Sequence, residues 1–143
     1  MLAVAFACLV LIGLTTTIHY EALSGLNAWL PGLRIPARAK LLVVIFAAFC
    51  THAVEILLYG LALYLLDWAG FGGLGGSGGS TFANCMYFSI ETYSSLGFGD
   101  LVPVGSVRLL AGVEALNGLL LIGWSASYAY IAMERFWTGD GRD

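Results

Sequence analysis

The sequence predicts an all-α membrane protein with three transmembrane helices and one shorter helix that enters the membrane without crossing it. The chain is 59% hydrophobic and only 10% charged, whereas a soluble domain carries about 25% charged residues. Three long apolar runs each have the length of a span, and one aromatic segment is too short to cross. No stretch remains for a separate soluble domain, so we expect one membrane domain.

The first apolar run predicts an N-terminal transmembrane helix over residues 1–30. A signal peptide is the competing interpretation, but no Lys or Arg precedes the run and no small-residue cleavage site follows it. Pro31 and Pro36 then predict a turn, because proline is unfavourable in helix interiors and restricts the residue before it.

Two more spans are predicted at 39–68 and 107–133. The first of these would be ~45 Å long at 1.5 Å per residue, which exceeds the ~30 Å hydrocarbon core, so we expect tilt or protrusion. The glycine-rich segment 69–80 predicts a flexible connection. Residues 81–94 are apolar and aromatic but too short to span, which favours a re-entrant helix.

Basic residues predict the orientation of the chain. The link between spans one and two holds Arg34, Arg38 and Lys40, and the chain after span three holds Arg135 and Arg142. The link between spans two and three holds only Arg108. By the positive-inside rule the N-terminus lies outside and the C-terminus is cytoplasmic. The net charge of −3 gives no indication of nucleic-acid binding, and no soluble partner is evident.

The segment after the short helix has the pattern of a cation site made from backbone. It reads Ser95-Leu96-Gly97-Phe98-Gly99, followed by Asp100. Glycine at alternate positions allows the unusual dihedral angles that turn successive carbonyls toward one axis, where they replace the water shell of a cation. The C-terminal end of the preceding helix carries partial negative charge, which also favours a cation.

Residues 95–100, S-L-G-F-G-D, resemble the filter of the potassium-channel pore-domain family, whose pattern is T-V-G-Y-G-D after a short aromatic-rich helix. Ser95 retains a hydroxyl and Leu96 an apolar side chain, whereas Phe98 lacks the hydroxyl of the family's tyrosine. The resemblance covers 39–137: an outer helix at 39–68, a pore helix at 81–94, the filter at 95–99 and an inner helix at 107–133.

This resemblance implies a bacterial inner-membrane potassium channel, in which four identical chains share one pore within the lipid bilayer. K⁺ would bind at Ser95, Leu96, Gly97 and Phe98, with no organic cofactor. It also implies a filter brace made by Glu91 and Asp100, two carboxylates that would share a proton, with Tyr87 beside them.

The inner helix contains two further candidates for a role in gating. Gly118 and Gly123 are either hinge positions or sites of close helix packing. Three polar residues of the same helix are candidates to face a water-filled cavity: Asn117, Ser125 and Ser127.

Five titratable residues fall within the predicted spans, where polar groups are costly and usually paired or functional: His19, Glu21, His52, Glu55 and Glu114. In an antiparallel hairpin of the first two spans, His19 and His52 lie at similar heights, and His52 and Glu55 share a helix face. Three interpretations remain: a hydrogen-bonded clasp, a pH sensor, or a zinc-like site at His19, His52 and Glu55. Glu114 is expected behind the pore helix, near Thr92 or Ser94.

Two other functions compete with a potassium channel. One is a poorly selective cation channel. The other is a non-conducting membrane sensor or scaffold whose site is the His/Glu cluster. An enzyme is not expected, because the sequence shows no nucleophile–base pair, phosphate loop or cofactor motif.

Overall fold

The computed structural model describes residues 1–138, so Arg142, which contributes to the orientation prediction, lies outside the described residues. The elements follow in the order α1 Leu2–Trp29, a 3₁₀ turn Leu30–Gly32, α2 Ala37–Trp68, β1 Gly72–Gly76, α3 Phe82–Tyr93, β2 Leu101–Gly105 and α4 Val107–Thr138. Three helical segments are long and apolar enough to cross a membrane: Leu2–Gly32, Ala37–Trp68 and Val107–Phe136. This mostly helical architecture agrees with the predicted all-α membrane class.

One stripe of α1 packs against α2 and α4. Its buried residues recur at helical spacing along one face: Val4, Cys8, Leu11, Thr15, His19, Leu23 and Leu26. The opposite face exposes large apolar side chains such as Phe6 and Leu9. The first helix is therefore fixed along its whole length, and its outer surface is suited to lipid.

The short helix α3 lies between α2 and α4. Its 12 residues give about 18 Å of helix, which is too short to cross ~30 Å of hydrocarbon. Thr81 caps its start, with Oγ1 accepting a hydrogen bond from the Asn84 N–H at 3.2 Å. The buried side chains of Phe88 and Tyr93 join α3 to the main core.

The glycine-rich segment is not the flexible connection that its composition predicts. Its residues 72–76 form β1, which pairs antiparallel with β2 from Gly72 opposite Gly105 to Gly76 opposite Leu101. The glycines allow this close approach: a Cβ at Gly72, where φ is +119°, would overlap the Val104 carbonyl oxygen. The hairpin ties the connection before α3 to the segment after the filter.

Candidate ion-binding site

The segment between α3 and β2 has an alternating backbone conformation. Ser95, Gly97 and Gly99 have φ values of +58°, +56° and +80°, while Leu96 and Phe98 between them do not take positive values. Among the described residues, Ser95 is the one non-glycine residue with positive φ, a conformation that L-residues adopt at an energetic cost. The alternation gives the backbone the form that the glycine spacing predicts for a carbonyl-lined cation path.

Glu91, on the last turn of α3, holds this segment from behind. Its backbone oxygen accepts hydrogen bonds from the N–H groups of Leu96 and Gly97, at 2.8 and 3.3 Å. Its carboxylate Oε2 accepts a third from the Phe98 N–H at 2.9 Å. Glu91 is only 2% exposed. Three consecutive N–H groups are thus directed to one residue, and no hydrogen bond within residues 1–138 uses the carbonyl groups of 95–99.

Tyr87 and Asp100 form a second contact beside the filter segment. The Tyr87 hydroxyl donates to Asp100 Oδ1 at 3.3 Å, and the Tyr87 ring stacks on Phe98 with centroids 6.4 Å apart. Desolvation and, after it, the charges of Asp100 and Glu91 raise the pKa of Tyr87, so its hydroxyl keeps the proton that it donates. A direct Glu91–Asp100 hydrogen bond is not among the contacts of residues 1–138; each carboxylate has its own donor.

A buried polar cluster lies behind the end of α3. His19 Nδ1 is 2.9 Å from Glu55 Oε1, and His52 Nδ1 is 3.0 Å from Glu55 Oε2. The Tyr93 hydroxyl donates to the same Oε2 and lies 2.9 Å from His52 Nδ1. His19 and Glu55 are fully buried, whereas the His52 side chain is 17% exposed. The structure therefore joins α1, α2 and α3 at one carboxylate.

Two members of this cluster were not foreseen from the sequence. Tyr93 precedes the filter serine by two residues, so its contact with Glu55 connects the cluster to the base of the filter. Ser125, on α4, lies 3.2 Å from His19 Nε2. The only signal for Tyr93 was its place at the end of the aromatic helix, since one sequence does not fix the rotation of a helix about its axis.

Two of the predicted intramembrane acids lie away from this cluster. Glu21 is exposed on α1. Glu114 is buried on α4 and contacts Ser89, whose hydroxyl also lies 2.9 Å from the Ile56 carbonyl oxygen. Glu114 therefore lies behind α3, but about one turn earlier than the expected neighbourhood of Thr92 or Ser94.

The polar residues of α4 mostly face α1 rather than a cavity. Asn117 Nδ2 donates to Thr15 Oγ1 at 2.8 Å and to the Tyr59 hydroxyl at 3.2 Å, and Ser125 contacts His19. The expectation that Asn117 and Ser125 line water is therefore wrong, because their partners lie on α1 and α2. Ser127 is exposed and donates to the Gly123 carbonyl of its own helix at 2.9 Å.

The two candidate hinge glycines have different surroundings. A Cβ at Gly118 would overlap the Tyr93 carbonyl oxygen and lie 2.9 Å from Tyr93 Cγ. A Cβ at Gly123 would meet nothing within 4 Å. Gly118 thus permits close packing of α4 against the end of α3, and Gly123 has no such contact within the chain.

The sequence of this chain is similar to those of known ion channels. Residues 41–135 match the family described as "Ion channel". Over 97 residues, 66% of this chain, the sequence is 30% identical to the inward rectifier potassium channel Kirbac3.1 of Paramagnetospirillum magnetotacticum. The aligned part covers 33% of that relative's length. No solved structure matches the chain significantly.

The matched range extends from the start of α2 to the end of α4 and includes the filter segment. It confirms the resemblance to potassium-channel pore domains found at residues 95–100. With its three candidate spans, the chain is an integral membrane protein that belongs to the ion channel family.

Proposed function

We propose that four copies of this chain form a potassium-selective channel, with K⁺ bound by backbone carbonyls of Ser95, Leu96, Gly97 and Phe98. One observation carries the proposal. Positive φ values occur at Ser95, Gly97 and Gly99, and Glu91 accepts hydrogen bonds from the N–H groups of Leu96, Gly97 and Phe98. The carbonyls of this segment are then available to a dehydrated cation.

Four chains are needed because one strand supplies carbonyls to only one side of an ion. Leu96 and Phe98 are 59% and 66% exposed in the single chain, although they are large and apolar. Symmetric neighbours around a common axis would cover such side chains and complete the ring of oxygens. The similarity to a potassium channel of Paramagnetospirillum magnetotacticum supports K⁺ as the ion.

In the membrane we place the link between α1 and α2 and the C-terminal end of α4 in the cytoplasm, with the filter near the outer side. Arg34 in the link, Arg38 and Lys40 in the first turn of α2, and Arg135 near the end of α4 support this orientation. The proposed location is a bacterial inner membrane. Residues 1–30 form an additional helix at the periphery of the pore domain, which consists of residues 39–137. The outer, pore and inner helices are then α2, α3 and α4.

The experiment is ion flux through purified protein in liposomes with opposed K⁺ and Na⁺ gradients. A reversal potential close to that of K⁺ is the expected result. Equal permeability to K⁺ and Na⁺ would replace the proposal with a poorly selective cation channel, and absence of flux in correctly assembled protein would favour a non-conducting sensor.

Gly99→Ala is the variant that tests the filter separately from the fold. Gly99 has φ of +80°, and an added Cβ would meet no atom of its own chain within 4 Å, so the substitution disfavours the backbone conformation without a clash inside the chain. The conformational cost is about 1–2 kcal/mol. We expect K⁺ flux to fall in this variant while its helix content stays unchanged, which separates loss of the filter from loss of the fold.

A further inference from the structure

The His19–His52–Glu55 cluster has the composition of a metal site, and it lies outside the filter. The chain contains two histidines in total, one on α1 and one on α2, and both contact Glu55 through Nδ1. One ligand atom from each of the three residues lies within 4.8 Å of the others. Imidazole nitrogen and carboxylate oxygen are ligands that Zn²⁺ commonly takes in proteins.

The donor atoms lie close to the spacing of a zinc site. Ligands about 2.0–2.1 Å from a tetrahedral zinc ion lie about 3.3 Å from one another. Each imidazole approaches its own oxygen of Glu55, at 2.9 Å for His19 Nδ1 and 3.0 Å for His52 Nδ1. One ligand atom from each residue lies within 4.8 Å of the others, so the three side chains must shift toward a common centre to hold one ion. The phenol oxygen of Tyr93 lies 2.9 Å from His52 Nδ1, beside these donor atoms.

Charge also favours a cation here. Glu55 is fully buried, and its contacts within residues 1–138 are with His19, His52 and Tyr93 rather than with Lys or Arg. A buried carboxylate without a compensating positive charge is costly. A divalent ion supplies that charge while the imidazoles stay neutral and bind through their lone pairs.

The surroundings of His19 suit a metal ligand. Ser125 Oγ lies 3.2 Å from Nε2. A histidine that binds a metal through one nitrogen usually donates its other N–H to a neighbouring acceptor, which fixes the tautomer and the ring orientation. Trp124, with ring centroids 5.3 Å apart, packs against the same imidazole. The His52 side chain is 17% exposed in the single chain, where it lines a cleft with Phe49, Ile56 and Ile90.

We propose that His19 Nδ1, His52 Nδ1 and Glu55 bind a divalent ion of the zinc type, with the Tyr93 hydroxyl hydrogen-bonded to the Glu55 carboxylate beside it. The ion joins α1 to α2, and Glu55 connects it to Tyr93, the last residue of α3, two residues before Ser95. This site does not depend on the proposed conduction of potassium, and its test measures binding directly.

The experiment uses the whole chain without a histidine tag, purified in detergent and freed of metal. It is titrated with Co²⁺ as a spectroscopic probe and then with Zn²⁺. We expect one Co²⁺ per chain, the visible absorption of a tetrahedral site, and displacement of Co²⁺ by Zn²⁺. His52→Ala should weaken binding at least about 10-fold, because no other histidines can replace the ligand.

Two variants serve as controls. Glu21→Gln removes an exposed carboxylate two residues after His19, and Cys50→Ser removes an exposed thiol two residues before His52; both should bind Co²⁺ as the parent does. Absence of stoichiometric binding in the unmodified chain overturns the proposal and leaves a hydrogen-bonded clasp. Equal binding by His52→Ala also overturns it. If His52→Ala fails to fold, Co²⁺ binding by the unmodified chain alone decides whether the metal site exists.

Discussion

At the scale of single residues, Glu91 accepts more hydrogen bonds from residues 95–99 than any other of the described residues. Its backbone oxygen and its carboxylate together accept three hydrogen bonds, from the N–H groups of Leu96, Gly97 and Phe98. The backbone contacts survive any side-chain substitution, but the carboxylate contact does not. The side chain therefore has a separable role, which is to hold the peptide between Gly97 and Phe98.

We expect Glu91→Ala to lower potassium flux about 10-fold or more. The substitution leaves the Phe98 N–H without its acceptor, and a hydrogen bond to a charged group contributes about 1.5–3 kcal/mol, of which each 1.4 kcal/mol corresponds to about a factor of ten. The measurement is K⁺ flux in liposomes, with reversal potentials to detect loss of selectivity.

Glu91→Gln is the matched comparison, because its amide oxygen can still accept from Phe98. This variant should retain most of the flux. If the Gln and Ala variants lose flux equally, the negative charge of Glu91 rather than its hydrogen bond is what matters; if both behave as the parent does, the side chain is not a brace.

The sequence predicts which residues belong to the site better than it predicts which side chains they contact. The glycine spacing indicates the backbone form of 95–99, and the i, i+3 spacing places His52 and Glu55 on one face. The rotation of α4 could not be predicted, because one sequence does not show whether the face with Glu114, Asn117 and Ser125 meets other helices or a cavity. Asn117 was therefore expected at a cavity, whereas it binds Thr15 and Tyr59.

At the scale of elements, α4 approaches α3 most closely at Gly118. A side chain there would overlap the carbonyl oxygen of Tyr93, the residue that also reaches Glu55. The contact thus connects the inner helix, the end of the short helix and the polar cluster. A change in the separation of α3 and α4 would act on all three.

Gly118→Ala should destabilise the protein by about 1–3 kcal/mol, the usual cost of overpacking a filled site. Gly123→Ala is the control: it adds the same methyl group to the same helix where nothing lies within 4 Å, and it should be neutral or gain up to about 1 kcal/mol from helix propensity. Thermal unfolding in detergent, followed by circular dichroism, measures both. Equal stability of the two variants would argue against tight packing at Gly118.

The helices were predictable because long apolar runs leave few alternatives in a membrane, and proline marks the turn between the first two. The hairpin of β1 and β2 was not predictable. Residues 72–76 contain four glycines and a leucine, so no alternation of side chains indicates a strand. Their partner residues, 101–105, lie on the other side of α3 and the filter, so the pairing depends on the fold itself.

At the scale of the whole molecule, the single chain exposes more apolar surface than lipid contact alone accounts for. Large side chains are exposed on the filter segment and along α4, including Leu96, Phe98, Leu116, Leu119 and Leu120. A filter segment covered by lipid would leave its carbonyls without partners, which the bilayer interior does not tolerate. The proposed association of four chains at the filter would remove both the exposed apolar surface and the unpartnered carbonyls.

If four chains bind K⁺ between them, the ion binds the assembly and not the separated chain, so K⁺ must stabilise the tetramer by mass action. Native mass spectrometry should show a species of four times the 15.2 kDa chain mass, and its dissociation temperature should be higher in K⁺ than in Na⁺. Gly97→Ala should abolish this difference, because φ at Gly97 is +56° and an added Cβ meets no atom of its own chain within 4 Å, so within the chain the substitution disfavours the filter conformation alone. A dissociation temperature that is the same in both salts, or a dependence that persists in Gly97→Ala, would contradict potassium binding by a filter shared among chains.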